Sequence, residues 1–101
     1  MAATEPASVE RAGALLRLRG RLDRASVAGL WPQALAALDG AQGLDLHAVQ
    51  ALDSAGLALL AELADRLPRE ARRIEGQPPG LAGLCAAYRM NADLIRSEGT
   101  V

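Results

Sequence analysis

Asp53 and Ser54 are adjacent residues at the point where a strand-like pattern gives way to a helix-like pattern. Either side chain can accept a hydrogen bond from an unpaired backbone N–H, so both are typical helix N-cap residues. The N-terminus of a helix also favours negative charge. Ser54 could therefore accept a phosphoryl group or contact a carboxylate of a partner. The simpler alternative is a structural cap that stabilises the helix by about 0.5–2 kcal/mol.

The other reactive side chains do not form a recognisable catalytic or metal-binding pattern. His47 has no second histidine and no clustered carboxylates beside it, so a solvated strand position is the better interpretation. Cys85 falls on an apolar helical stripe, which favours a buried thiol. Asp23, Asp45 and Asp53 fall near strand ends, and we interpret them as caps and turn formers rather than an acid/base pair. We therefore expect a non-enzymatic binding module without metal or cofactor.

Composition narrows the class of protein further. A chain of 101 residues, half of them hydrophobic, is the size of one domain. Its net charge of −1 gives no drive toward nucleic acid. The single cysteine excludes an internal disulfide, and no stretch approaches the roughly 20 apolar residues of a membrane span. These features predict a soluble cytosolic protein, and one docked on a membrane complex is the alternative.

The stretch 44–60 contains the clearest structural signal. Leu44, Leu46 and Ala48 alternate with polar residues, which predicts a strand with these three on one side. Apolar residues from Leu57 onward recur at helical spacing and predict a helix that begins at the Asp-Ser pair. The residues expected in the core are Leu46, Leu57, Leu60, Leu63, Leu84 and Cys85.

Strands alternate with helices along the chain, which predicts an α/β fold with a small sheet. A flexible N-terminus is expected over 1–8, a domain over 9–96 and a tail over 97–101. The other predicted elements are a hairpin of 9–11 with 14–19 around Gly13, a strand end at Gly20–Asp23, a turn over 24–30, a helix over 32–38 after the break at Pro32, an edge strand over 71–75, a helix over 81–88 ended by Asn91, and an apolar segment over 92–95.

One stripe of the helix after the Asp-Ser pair is predicted to face solvent and a partner protein. Ala55, Leu59, Glu62 and Arg66 share this stripe at about 100° per residue. An isolated exposed leucine is common, but Leu59 follows Ser54 by one turn, which favours an interaction surface. These four residues and Ser54 are the predicted partner-binding surface. Leu59 is expected to be exposed, so that Leu59→Asp would leave the fold intact.

Several motifs together resemble the STAS domain family (sulfate transporter and anti-sigma factor antagonist). They are Gly-x-Leu-Asp at 20–23, Leu-Asp-Leu at 44–46, Asp-Ser-x-Gly-Leu at 53–57 and the final helix at 81–88. They occur in the family's order and extend over nearly the whole chain. The resemblance implies a single domain with a small mixed sheet and helices packed mainly on one face.

Within the family, the short stand-alone form and the sequence around Tyr88 are most similar to MlaB-type subunits. That resemblance implies a cytoplasmic accessory subunit that binds the ATPase subunit of an ABC-type phospholipid transporter and, through it, an inner-membrane permease. Such a transporter maintains the lipid asymmetry of the outer membrane. Asp53 with Ser54 also resembles the pattern of anti-sigma factor antagonists, which implies phosphorylation of Ser54 as the alternative.

Overall fold

The computed structural model of the chain describes residues 7–68 and 73–89. Within them, four strands and three helices follow in the order β1 (Ser8–Ala12), β2 (Leu15–Leu22), α1 (Arg24–Ala37), β3 (Gly43–Leu52), α2 (Ser54–Asp65), β4 (Arg73–Glu75) and α3 (Leu81–Ala87). None of these helices has the length and apolar character needed to span a bilayer.

The four strands form one mixed sheet in the order β1-β2-β3-β4. β1 and β2 form the predicted antiparallel hairpin, with Gly13 at φ 64 in its turn. β3 pairs in parallel with both β2 and β4. Parallel neighbours need a crossover connection, which α1 and α2 contribute. The predicted α/β class and the edge position of β4 are confirmed.

A leucine-rich core lies between the helices and one face of the sheet. Leu16, Leu18 and Leu22 of β2 are fully buried. Arg17 and Arg19 alternate with them and keep 37% of their side-chain surface exposed. The helices therefore cover one face of the sheet, and the other face is open and charged. Of the predicted core residues, Leu46, Leu57, Leu60, Leu63 and Cys85 are buried, and Leu84 is only half-buried.

β2 continues through Gly20, where the sequence predicted its end. Gly20 is buried, has φ 83, and stands at a shift in the register between β2 and β3. A glycine adopts this left-handed conformation without steric cost, so the strand bends and then resumes. The bend brings Leu22 level with Leu52 of β3.

A second register shift changes the side on which β3 residues point. Arg17 pairs with Asp45, but Arg19 pairs with Ala48, so β3 contains one extra residue at this point. One extra residue reverses the alternation of side chains. Val49 is therefore buried and Ala48 only half-buried, and the prediction that Ala48 shares the side of the preceding leucines is wrong.

α1 is one continuous helix, although Pro32 predicted a turn over 24–30 and a separate helix over 32–38. Proline lacks the N–H that would bond the carbonyl of Ala28. Both residues are exposed, so water can reach that carbonyl. The predicted break is therefore wrong, because the cost of the missing bond is low on a solvated face.

Leu59 is buried, and the prediction of its exposure is wrong. Only 3% of its surface is accessible. Arg66, two turns later on the same stripe, places its guanidinium 5.2 Å from the ring centre of Trp31 in α1. The neighbouring helix therefore lies beside this stripe and covers Leu59. The periodicity within α2 contains no information about where α1 packs.

Some predictions fall on residues outside 7–68 and 73–89. These are most of the N-terminal segment 1–8, the start of the strand predicted over 71–75, the helix end at Asn91, the apolar segment 92–95 and the tail 97–101.

Burial of Leu59 predicts that Leu59→Ala lowers the free energy of unfolding by about 2–5 kcal/mol, as expected for a buried leucine. Leu60→Ala should cost a similar amount. Urea denaturation measures both, with the exposed neighbour Ala58→Ser as a control expected within about 0.5 kcal/mol of the natural chain. A nearly neutral Leu59→Ala beside a costly Leu60→Ala would place Leu59 outside the core.

Candidate functional site at the ends of strands β2 and β3

The two aspartates that follow β2 and β3 lie side by side at the C-terminal ends of these strands. Leu22 and Leu52 pair in register, and the N–H of Asp53 donates to the carbonyl of Leu22 at 3.2 Å. Asp23 and Asp53 therefore meet where α1 and α2 begin. We name this group of residues at the strand ends the rim; it comprises Asp23, Arg24, Asp53, Ser54 and Gly56.

Asp23 is the N-cap of α1. Its carboxylate accepts a hydrogen bond from the N–H of Ser26 at 3.1 Å, and the Ser26 hydroxyl accepts one from the N–H of Asp23 at 3.2 Å. These reciprocal bonds form a capping box, which fixes the first turn of the helix. The interpretation of Asp23 as a cap is confirmed.

Asp53 is the N-cap of α2 and also contacts α1. Its Oδ1 accepts from the N–H of Gly56 at 3.0 Å, which is the cap bond. Its Oδ2 accepts from the N–H of Arg24, the first residue of α1, at 3.1 Å. One carboxylate therefore joins the N-termini of two neighbouring helices.

These bonds favour the ionised form of Asp53. The N–H of Gly56 lowers the pKa of the Asp53 carboxyl most, partial burial opposes it, and the N–H of Arg24 lowers it further. The net result is a pKa below the ordinary value for aspartate. The rim therefore holds a carboxylate that stays charged in mildly acidic solution.

Gly56 is required by a close approach between α2 and β2. A Cβ atom at this position would overlap the carbonyl oxygen of Leu22. The same carbonyl accepts the hydrogen bond from Asp53. The glycine of the Asp-Ser-x-Gly-Leu motif thus allows the first turn of α2 to rest on the end of β2.

Ser54 is the first residue of α2, and its side chain is exposed. Its hydroxyl forms no hydrogen bond with another described residue, because Asp53 already caps the helix. The alternative in which Ser54 is the structural cap is therefore wrong. The hydroxyl is free to contact a partner or to accept a chemical group.

The exposed side of α2 is rotated from the stripe predicted from sequence. Its members succeed one another at helical spacing, and we name them the α2 face: Ser54, Ala58, Glu62 and Asp65, all exposed. Ala55 is half-buried at the border of this face. Arg66 is exposed and lies 3.6 Å from Glu62. The structure therefore brings together four of the five predicted residues and removes Leu59 from the surface.

Asp45 and His47 lie on the open face of the sheet, away from the rim. Burial raises the pKa of Asp45, but hydrogen bonds from the N–H and ring of His47 and from Arg17 together outweigh it. The pKa of the Asp45 carboxyl is consequently lowered. The ring Nδ1 of His47 lies 2.9 Å from Asp45, and Arg17 lies 3.6 Å from Glu10. These contacts form a charge network across β1, β2 and β3.

Two further features of the described residues lie apart from the rim. Burial raises the pKa of the Cys85 thiol, and a protonated thiol is a weak nucleophile. An open depression of about 490 Å³ lies near the C-terminal ends of α1 and α2; its lining residues are Leu35, Leu38, Asp39, Gly40, Ala41, Gln42, Arg66 and Pro68. No three side chains of His, Cys, Asp or Glu cluster as a metal site within 7–68 and 73–89.

The mixed four-stranded sheet with helices on one face is consistent with the STAS-like fold that the sequence motifs predict. Residues 7–96 match the family model described as Mlab, STAS domain. The chain therefore belongs to this family of STAS domains.

Two curated relatives are similar to nearly the whole chain. They are the proteins named intermembrane phospholipid transport system binding protein MlaB from Escherichia coli (strain K12) and from Shigella flexneri. Each is 30% identical over 94 residues, which cover 91% of this chain and 97% of the relative. The similarity therefore extends over almost the full length of each relative.

Arg24 at the rim and Ala58 on the α2 face are not among the residues predicted from sequence. Arg24 acts through its backbone N–H, so its residue type gives no signal. The useful signal was the repeated Leu-Asp pair at the ends of two adjacent strands, at Leu22 and Leu52. Ala58 follows Ser54 by one helical turn, and only the packing of α1 reveals that it is at the centre of the exposed side.

Asp53→Ala should lower the free energy of unfolding by about 1–2 kcal/mol near neutral pH, because it removes the N-cap of α2. The folded-state pKa lies below the unfolded value of about 4. The carboxylate therefore stabilises the fold above about pH 4 and loses this effect as the pH falls through the folded-state pKa. Urea denaturation between about pH 6 and pH 2 should show the difference between the two chains shrinking. A difference that stays constant would contradict the role of the ionised carboxylate.

Proposed function

We propose that this chain is a non-enzymatic binding subunit of an intermembrane phospholipid transport system. The supporting observation is its 30% identity to the MlaB proteins over almost their whole length. The proposed partner is the ATPase subunit of the transporter, which would hold this chain in the cytoplasm beside the inner membrane. In this role the chain supports the ATPase by binding it and performs no chemistry.

The α2 face is the proposed contact surface. Ser54 and Ala58 are small and exposed, so the backbone of a partner can approach the helix closely. Glu62 and Asp65 add two exposed carboxylates farther along the same side. This arrangement suits a partner that packs over the small residues and presents basic groups to the C-terminal half of α2.

A second function, regulation by phosphorylation of Ser54, is favoured by one observation. The Ser54 hydroxyl is exposed at the N-terminus of a helix, and Asp53 performs the capping. A phosphate there would be stabilised by the helix N-terminus but would lie beside the charged Asp53. In this alternative the chain is an anti-sigma factor antagonist whose partner is a kinase.

Ala58→Arg should abolish copurification with the ATPase subunit and leave folding intact. The side chain is exposed in the isolated chain, so arginine has room there. In a complex it would place a bulky charge among packed groups, where the charge would lose its hydration. Affinity purification of the tagged chain with the ATPase subunit measures the effect.

The matched control is Ala86→Arg, which adds the same side chain at an exposed alanine of α3. It should leave copurification unchanged. Loss of the complex in Ala86→Arg with retention in Ala58→Arg would move the contact surface from α2 to α3.

Substitutions of Ser54 separate the two functions. Ser54→Ala removes no hydrogen bond among the described residues, so it should change the free energy of unfolding by less than about 0.5 kcal/mol. A transporter subunit should then keep its partner and most of its activity. Ser54→Glu should fold, because a helix N-terminus tolerates the charge, but its longer anionic side chain should displace the partner. The measurements are copurification with the ATPase subunit and the lipid asymmetry of the outer membrane in cells.

The phosphorylation alternative predicts the opposite pattern. Ser54→Ala would fold yet lose all function, and mass spectrometry of the natural chain would find phosphate on Ser54. That pair of results would exclude the transporter role as the main function.

A further inference from the structure

The carboxylate of Asp53 links two helices that are far apart in sequence. The first N–H groups of a helix have no partner within it. The N–H of Arg24, at the start of α1, is satisfied by Asp53 at 3.1 Å, and the same carboxylate caps α2 at Gly56. The bond to Arg24 is not needed for either helix cap, because Asp23 caps α1 and the Gly56 bond caps α2.

We propose that Asp53 is a positioning residue that sets the orientation of the α2 face relative to α1 for partner binding. This inference rests on the proposed function, because it concerns the same surface and the same partner.

Two contacts hold α2 against α1 at opposite ends. At the rim the link is the bond from Arg24 to Asp53. Just after the C-terminal end of α2, the guanidinium of Arg66 lies over the ring of Trp31, 5.2 Å from the ring centre. Between these points Leu59 is buried. Without the rim link, the start of α2 keeps its contacts with β2, through the N–H of Asp53 and the close approach at Gly56, but loses its hydrogen bond to α1, so the angle between the two helices can change.

Substitution of Arg24 by proline removes the link and keeps Asp23 and Asp53, the residues that cap the two helices. Arg24→Pro replaces the N–H that Asp53 accepts with a ring carbon, which turns Oδ2 of Asp53 away from α1, and proline is favoured at the first position of a helix. The preceding residue, Asp23, has an extended backbone at φ −128 and ψ 178, which a following proline requires. Arg24→Ala is the matched control, because it removes the same side chain and keeps the N–H.

Both variants and the natural chain are titrated with the purified ATPase subunit, and their thermal unfolding midpoints are compared. We expect Arg24→Pro to bind about fivefold more weakly than Arg24→Ala, with comparable midpoints. NMR titration of the Asp53 carboxyl gives a readout that does not depend on the partner. The Asp53 pKa should rise in Arg24→Pro and stay unchanged in Arg24→Ala, because only proline removes a bond to the ionised form.

The outcomes separate this inference from the proposed function. If the natural chain binds the ATPase subunit and the two variants bind it equally well, the positioning role is wrong and the proposed function stands. If the natural chain does not bind, the proposed function fails. If the pKa of Asp53 is the same in both variants, the link itself is absent in solution.

Discussion

The arrangement of this domain depends on one ionised carboxylate, that of Asp53, at the end of the central strand. The carboxylate accepts hydrogen bonds from the N–H of Gly56 in α2 and from the N–H of Arg24 in α1. The backbone N–H of Asp53 donates to the carbonyl of Leu22 at the end of β2. Asp53 alone thus holds together the starts of α1 and α2 and the end of β2. Gly56 completes this junction, since any larger residue would push α2 away from the carbonyl of Leu22. Asp53 and Gly56 of the Asp-Ser-x-Gly-Leu motif are therefore needed for packing, whatever the function of the domain.

Local features of the chain predicted much of this structure. The strand that begins near Leu44, the helix after Asp53 and the hairpin around Gly13 follow from short-range patterns and turn chemistry, and all three are present. The errors come from longer-range geometry. Leu59 is buried because α1 packs beside it, which no periodicity within α2 encodes. Pro32 stays within a helix because its face is solvated. The register shift at Gly20 coincides with a glycine inside β2, whereas the shift between Arg17 and Arg19 depends on the pairing of the two strands.

The candidate site shows how the same motif serves different members of a family. Because Asp53 caps the helix, the Ser54 hydroxyl forms no hydrogen bond with another described residue and remains exposed. An exposed hydroxyl at a helix N-terminus suits a packed protein interface and also suits a phosphate. The fold therefore does not select between a binding subunit and a phosphorylated regulator. Which of the two functions the domain has depends on the partner that it binds. The similarity to the MlaB proteins favours a role in a transporter.

The contact between Trp31 and Arg66 has an experimental consequence. Trp31 is the single tryptophan of the chain and is half-buried in α1. The guanidinium of Arg66, the residue that follows α2, lies over its ring. The emission of an indole depends on the polarity and charge around it. Intrinsic fluorescence of the unlabelled protein therefore reports on the spacing of α1 and α2 at one defined point. Any event that separates the two helices, whether unfolding or docking of a partner, becomes visible as a change in emission wavelength or intensity.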